Sequence, residues 1–259
     1  MTYLLVNEKD GLQFQNVHFD YTNSTGARAI LKDVSFSIKK GEFVSIVGAS
    51  GSGKSTIFRL IAGLEEQSSG TISLNGEKTE KRLGKVGYMP QQDLLMPWRT
   101  IRQNAALPLE LQKKTNTDNE KVDKLLEDFG LKGYENKYPN ELSGGMRQRV
   151  SFLRATLSGS NVLLLDEPFS ALDAMTRLHM QEWLLQQWEK QGATILFITH
   201  DISEALFLSD RILMITETPF TTMEEAEVPL QRPRQQHHLD QQAVVELKNN
   251  LIERFRMRG

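Results

Sequence analysis

The sequence predicts an α/β fold with a largely parallel sheet, and three observations lead to that prediction. Short β-rich runs alternate with helical patterns over most of the 259 residues. A glycine-rich phosphate-binding motif stands between one such run and the start of a helix. Two carboxylates follow another run that is strongly apolar, at the end of the strand where ligands collect in open α/β sheets.

The predicted elements follow from hydrophobic periodicity. Strand-like runs are, in chain order, GLQFQNVHFDY, VSFSI, EFVSIVG, GTISLNG, KVGYM, NVLLLDE, ATILFIT and RILMIT. Turn-rich segments such as TNSTGAR join the early runs and favour antiparallel hairpins. Helices are predicted over 54–63, 101–113, 118–129, 144–158, 173–191 and 201–208. Between KVGYM and NVLLLDE lie helical patterns without a strand pattern, which indicates a helical subdomain inserted into the α/β core.

The pattern loosens after Thr216 and ends in an amphipathic stretch. Val244, Leu247, Leu251 and Phe255 lie on one face of the helix predicted there. That face could dock on the core, contact a sister subunit or bind a regulator. The neighbouring histidines at 237–238 stand in a polar segment without other metal-ligand types, so we expect them to be solvated.

Composition excludes several classes of protein. Lys and Arg number 31 against 33 Asp and Glu, a formal net charge of -2, so no nucleic acid partner is expected. The chain has no cysteine and therefore no disulfide framework and no thiolate chemistry. Its first residues have no basic lead-in and make a poor signal peptide. The apolar runs fall far short of the roughly 20 residues that cross a bilayer, so any membrane role is expected to be peripheral.

GASGSGKST, which starts at Gly48, matches the phosphate-loop pattern G-x-x-x-x-G-K-[ST]. Glycines allow backbone N–H groups to turn toward phosphate oxygens, and the helix N-terminus adds partial positive charge. Lys54, taken as a surface lysine, would reach the β and γ phosphates, and the Ser55 hydroxyl would bind Mg²⁺. The predicted nucleotide-binding residues of this loop are Gly48, Ala49, Ser50, Gly51, Ser52, Gly53, Lys54, Ser55 and Thr56.

NVLLLDEP supplies the acidic partners that such a loop requires. Asp166 is predicted to hold Mg²⁺ through water, and Glu167 is predicted to polarise the attacking water as the general base. Either carboxylate would be costly to bury without a partner, which argues against a purely structural role.

LSGGMRQR, at 142–149, is the most specific motif. The order of phosphate loop, glutamine loop, LSGGMRQR, apolar strand with DE, SALD and histidine resembles the nucleotide-binding subunit of an ATP-binding cassette (ABC) transporter, from about Gly11 to Thr216. The resemblance implies the P-loop NTPase ABC ATPase fold, with a RecA-like core, an antiparallel β subdomain and an inserted α-helical subdomain. It places the nucleotide-binding core at 1–91 and 161–216, the helical signature subdomain at 92–160 and a C-terminal tail at 217–259.

The resemblance also assigns roles to single residues. Tyr21 stands where an aromatic ring stacks on adenine. Gln91 matches the glutamine that touches Mg²⁺ and the water, although Gln92 beside it is an alternative. Asp173 resembles the residue that signals across a dimer interface, and His200 resembles the histidine that contacts the γ-phosphate.

The start of the signature segment has two compatible interpretations. Ser143 is predicted to cap a helix, with Gly144 and Gly145 in its first turn. The resemblance implies that these three residues also face the γ-phosphate held by a second cassette, to which they present a hydroxyl, backbone N–H groups and a helix N-terminus.

A cassette without a fused membrane span resembles the detached ATPase subunits of bacterial importers. LLMPWRTIRQNAALPLEL and QRPR resemble the nitrate, sulfonate and taurine importer group, with Met96 as a departure from its usual spacing; a pyrimidine precursor of thiamine is an equally admissible cargo. An exporter cassette or a non-transport ABC ATPase is the alternative. Trp98 and Arg99 are expected to meet the membrane subunit.

The resemblance implies ATP and Mg²⁺ as cofactors and the cytoplasmic face of the membrane as the location. The implied partners are a second cassette in a homodimer, integral membrane permease subunits and an extracytoplasmic solute-binding protein.

Overall fold

A computed structural model describes residues 10–23, 26–78, 81–112 and 118–258. In chain order the elements are β1 (Asp10–Asn23), β2 (Gly26–Lys39), β3 (Phe43–Gly48), α1 (Lys54–Ala62), β4 (Ser69–Leu74), β5 (Glu77–Lys78), β6 (Gly87–Met89), α2 (Ile101–Leu111), α3 (Asp118–Asp128), α4 (Gly144–Thr156), β7 (Val162–Asp166), α5 (Ala174–Gln191), β8 (Thr194–Ile198), α6 (Ile202–Leu208), β9 (Arg211–Ile215), β10 (Glu224–Glu227) and α7 (Gln242–Arg258).

The chain forms two compact units. Unit 1 comprises Met1–Lys85 with Gly192–Gly259, and unit 2 comprises Val86–Gln191. Both units mix helices with strands, and the predicted α/β class is confirmed. The predicted domain boundaries after residues 91, 160 and 216 stay a prediction.

Unit 1 contains an antiparallel sheet in the order β2-β1-β4-β5. β1 and β2 form the hairpin that the turn-rich segment predicts. Residues 10–14 of β1 are buried without interruption, as are Val17 and Phe19, and the Phe14 and Phe36 rings stack across the strands at 4.5 Å between centroids. This sheet builds one part of the unit 1 core.

The parallel strands of unit 1 lead into the loops that contain predicted site residues. β3 pairs in parallel with both β8 and β9, and all three strands are almost fully buried, as their continuous apolar sequences predict. β10 adds to β9 in antiparallel orientation. Its sequence, EEAE, lacks an apolar signal, which is why periodicity did not identify it as a strand.

Unit 2 contains a short parallel pair of strands, β6 and β7, together with the helical segment between them. Between β6 and β7 the described residues form three helices and a 3-10 turn but no strand, as the sequence predicts. Four rings pack together in its core: Phe129, Phe152, Phe169 and Trp183. Within the described parts of the chain, no helix is long and apolar enough to cross a membrane.

The C-terminal helix α7 docks on unit 1. Val244 and Leu251 are buried against residues of β3, β9 and α6, while Leu247 and Phe255 pack partly buried beside them. The predicted apolar face is therefore used within the chain itself, the first of the three possibilities. Arg234, in the segment before α7, donates to carbonyl oxygens at the end of α6 and after it, namely those of Leu206, Phe207 and Ser209.

Candidate nucleotide site

The phosphate loop of unit 1 connects β3 to α1. Gly51 and Gly53 have φ angles of 76° and 99°, in the left-handed region that favours glycine. At Gly53 a Cβ would also lie 2.7 Å from Cγ2 of Ile30, so a side chain there would be both strained and obstructed. The motif therefore sets a backbone turn that other residues cannot adopt at this position.

Lys54 is buried, which differs from the expectation of a surface lysine. Its side chain turns back over the loop, and Nζ donates to the carbonyl oxygens of Gly48 at 2.8 Å and Ala49 at 2.7 Å. The ammonium is thus held at the loop, beside exposed residues 49–51. The positive charge at this position would attract the anionic oxygens of a phosphate.

The loop fits a bound anion. The Ser52 hydroxyl is buried and has no hydrogen-bond partner among the described residues. An unsatisfied buried hydroxyl is costly, and a phosphate oxygen would satisfy it. Ser55 lies exposed in the first turn of α1, with an oxygen of the kind that Mg²⁺ prefers.

The other two predicted site residues of unit 1 lie in different places. Tyr21 is half-buried near the end of β1, where its ring packs edge-on against Phe19 at 4.8 Å. His200 is exposed just after β8. Because β3 and β8 are parallel and pair Ile46 with Ile198, His200 lies at the edge of the sheet where the phosphate loop begins.

Unit 2 places the carboxylates and the glutamine loop together. β6 and β7 are parallel and pair Met89 with Leu165, so both loops leave the same edge of the pair. Gln91 Nε2 donates to Oε2 of Glu167 at 3.2 Å, while Asp166 is buried at the end of β7. The sequence left open whether Gln91 or Gln92 acts, and this contact supports Gln91.

Glu167 has a left-handed backbone, with φ 48°. This conformation is uncommon for a residue with a Cβ and is retained where the surroundings hold it. The Glu167 carbonyl accepts from Ser170 Oγ at 3.0 Å, from the Ser170 N–H at 3.2 Å and from Gln148 Nε2 at 3.0 Å. A tight turn therefore follows the predicted general base.

The signature segment forms the predicted helix cap. Ser143 Oγ accepts from the Met146 N–H at 3.3 Å, and both Ser143 and Gly144 are exposed. Asp173 is also exposed and accepts from the Thr176 N–H at 3.0 Å. Hydrogen bonds from Thr176 lower the pKa of the Asp173 carboxyl below its ordinary value, and the bond from the Thr176 side chain has the largest effect.

Two arginines of the signature helix hold the glutamine loop, and sequence reasoning did not identify them. Arg147 Nε donates to Asp93 Oδ2 at 2.9 Å, and Arg154 donates to the backbone oxygens of Asp93 and Leu94. Their seven-residue spacing places both arginines on one face of the helix, and this spacing is the sequence feature from which a shared role could have been inferred. Trp98, in the same loop, is 73% exposed and is not a core residue.

Comparison with known proteins gives the context of these features. The family model described as ABC transporter matches residues 31–170. The formylaminopyrimidine import ATP-binding protein ThiZ of Halalkalibacterium halodurans is 47% identical over 222 residues, covering 85% of this chain and 86% of its own. The aliphatic sulfonates import ATP-binding protein SsuB of Bacillus cereus is 41% identical, and the match covers 92% of this chain and 93% of that protein.

Two further matches extend the comparison. The nitrate import ATP-binding protein NrtD of Synechococcus elongatus is 39% identical, covering 95% of this chain and 91% of its own. A solved dimeric ATP-binding cassette, in a post-hydrolysis state with ADP and Pi, superposes with a TM-score of 0.77 at 31% identity and covers 85% of this chain and all of its own.

Proposed function

The chain belongs to the ABC transporter family as an ATP-hydrolysing cassette, and from this premise we propose that it powers a bacterial importer of a small solute. The observation that carries the proposal is the phosphate loop: Lys54 is held over it, the buried Ser52 hydroxyl has no hydrogen-bond partner within the described part of the chain, and a helix N-terminus lies behind it. The cargo class is that of a sulfonate, taurine, nitrate or a thiamine precursor, and it is supported by relatives that are named for the import of formylaminopyrimidine, aliphatic sulfonates and nitrate.

Nucleotide binding is assigned first to the loop. Backbone N–H groups of 48–56 surround the phosphates, Lys54 pairs with their charge, and the ring of Tyr21 stacks on the adenine. Ser55, Gln91 and Asp166 would hold Mg²⁺, which when bound neutralises charge on the β and γ phosphates. All three side chains offer oxygen ligands.

Hydrolysis is assigned to Glu167, Gln91 and His200. The Glu167 carboxylate accepts a proton from the attacking water as the water oxygen bonds to the γ-phosphorus, and the bond from that phosphorus to the β–γ bridging oxygen breaks to release ADP. Gln91, which donates to this carboxylate in the structure, orients both the carboxylate and the water. His200 donates to the γ-phosphate oxygens, where charge must be stabilised in the transition state.

The signature segment completes a site in a second copy of the chain. Ser143, Gly144 and Gly145 present a hydroxyl and N–H groups at an exposed helix N-terminus, which suits an anion held by another cassette. Asp173 lies exposed and is assigned to the same dimer interface. ATP then holds two copies together, and hydrolysis releases them.

Membrane coupling is assigned to the loop that carries Trp98. Trp98 and Leu94 are exposed apolar residues, 73% and 60%, on a loop that Arg147 and Arg154 hold to the signature helix. An exposed aromatic anchor suits a protein interface. We assign this surface to the permease at the cytoplasmic face of the membrane, and a solute-binding protein delivers cargo on the opposite side.

Trapping the ATP-bound dimer tests the proposal. Glu167→Gln removes the base and one negative charge, so the protein with ATP and Mg²⁺ should elute as a dimer in size-exclusion chromatography. Adding Ser143→Arg should return it to monomer with ATP binding intact, because the arginine obstructs closure. Ser68→Arg, at an exposed serine of unit 1, is the matched control and should leave the dimer in place.

Transport is tested in liposomes that contain the permease. Cargo-loaded binding protein should stimulate ATPase activity, and candidate sulfonates, nitrate and thiamine precursors are compared. A Glu167→Gln protein that stays monomeric at saturating ATP, also with its permease present, would contradict the dimer assignment. Substrate flux outward would contradict import.

A further inference from the structure

Gln148 is a buried polar residue in the second turn of the signature helix α4. Only 4% of it is exposed. Its Nε2 donates to the Glu167 carbonyl at 3.0 Å and to Ser170 Oγ at 3.2 Å, and its Oε1 accepts from the Ala171 N–H at 3.0 Å. The donor and acceptor ends of the carboxamide are both used, which fixes its orientation. One side chain thus binds both ends of the segment 167–171.

The residue at one end of that segment is the predicted general base. Glu167 has a left-handed backbone with φ 48°, a conformation that is unfavourable for any residue that carries a Cβ. The two bonds from Ser170 to the Glu167 carbonyl are local and close the turn. The bond from Gln148 ties this turn to a helix residue 19 positions away in sequence, which helps to fix where the turn lies.

A second contact at the same place strengthens the connection. Gly145 lies three residues before Gln148, on the same helix face. A Cβ at Gly145 would lie 3.1 Å from the Ala171 carbonyl oxygen and 3.2 Å from Cδ2 of Leu172. The first turn of α4 therefore packs directly on the segment whose backbone Gln148 binds.

We propose that Gln148 is a positioning residue for the Glu167 carboxylate. By holding the Glu167 peptide to the signature helix, it fixes the direction in which the side chain leaves the backbone. The carboxylate is then aligned with the attacking water without Gln148 touching ATP. This inference rests on the proposed role of Glu167 as the general base.

The test compares steady-state ATPase kinetics of the full chain. Gln148→Met has nearly the same length and makes none of the three hydrogen bonds. We expect kcat to fall about 10- to 100-fold and KM for ATP to stay within about twofold, because the interaction serves the chemical step rather than ground-state binding. Gln181→Met, at a buried glutamine of α5 in the same unit, is the matched control and should keep kcat.

Gln148→Glu separates the two ends of the carboxamide. It keeps an acceptor for the Ala171 N–H and loses the donor to the Glu167 carbonyl, so kcat should remain as low as in Gln148→Met. This variant also carries the test if Gln148→Met does not fold, as judged by circular dichroism and ATP binding. A wild-type kcat in either folded variant would overturn the proposal.

A double variant distinguishes positioning from general damage. In a Glu167→Gln background there is no carboxylate to align, so adding Gln148→Met should change the residual rate by less than about twofold. Equal fold losses in both backgrounds would overturn the proposal. Full activity of Glu167→Gln alone would instead refute the role of Glu167 and is a separate outcome.

Discussion

Gln91 donates a hydrogen bond from Nε2 to Oε2 of Glu167, at 3.2 Å, across the ends of two parallel strands of unit 2. The neighbouring residue Gln92 is also a glutamine and is also exposed. The contact selects one of two adjacent glutamines as the partner of the predicted base.

Gln91→Ala should therefore lower kcat for ATP hydrolysis by about 10- to 100-fold, because the carboxylate loses the group that orients it. Gln92→Ala should stay within about threefold of the wild-type kcat. Steady-state ATPase assays of both variants check this. Equal losses in the two variants would remove the preference for Gln91.

Lys54→Ala should abolish ATPase activity and weaken ATP binding while the chain stays folded. The lysine bonds two carbonyls of a partly exposed loop, which water can reach, so the free energy of unfolding should fall by only about 1–2 kcal/mol. Titration with a fluorescent ATP analogue and urea unfolding measure the two effects. ATPase activity near that of the wild type would refute the phosphate-loop assignment.

Trp98→Ala should leave the isolated subunit stable to within about 0.5 kcal/mol, since the side chain is 73% exposed. Its ATPase activity should also be nearly unchanged. Retention on membranes that contain the permease should fall, as measured by co-sedimentation. Leu83→Ala removes a 67% exposed side chain of unit 1 and should have no such effect. Unchanged retention of Trp98→Ala would contradict the interface assignment.

Arg234→Ala should lower the free energy of unfolding by about 2–4 kcal/mol. Its buried guanidinium donates to four backbone carbonyls and faces Asp210, so the substitution leaves several buried acceptors without a donor. Burial lowers the pKa of Arg234 to about 10, so it remains charged at neutral pH. Urea unfolding measures the loss. Arg256→Ala, an exposed change in α7, should cost less than about 0.5 kcal/mol.

Asp173 should titrate below pH 3.8 in the folded protein, because bonds from Thr176 favour its carboxylate. A carboxyl with a lowered folded pKa stabilises the fold above its unfolded pKa, and that contribution is lost as the pH falls through the lower folded value. Thr176→Val removes the side-chain donor and should raise the pKa of Asp173 toward 3.8. Carboxyl-detected NMR titration of both proteins gives the two midpoints, and identical midpoints would contradict the assigned cause.

The amino-acid sequence by itself determined the features whose cause is local. Glycines at 51 and 53 permit positive φ angles, Ser143 caps the helix that follows it, and apolar runs of strand length become buried strands. Each of these depends on residues within a few positions of one another. The phosphate loop, the α/β class and the helical segment before β7 could therefore be predicted.

Only the tertiary structure decided the features that depend on residues far apart in the chain. It brought Gln91 to Glu167, placed Gln148 within hydrogen-bond distance of the Glu167 carbonyl, and buried Arg234 against the end of α6. It also left Trp98 exposed, which composition could not tell from a core tryptophan. A polar side chain has many possible partners in the sequence, and packing determines which one lies within hydrogen-bond distance.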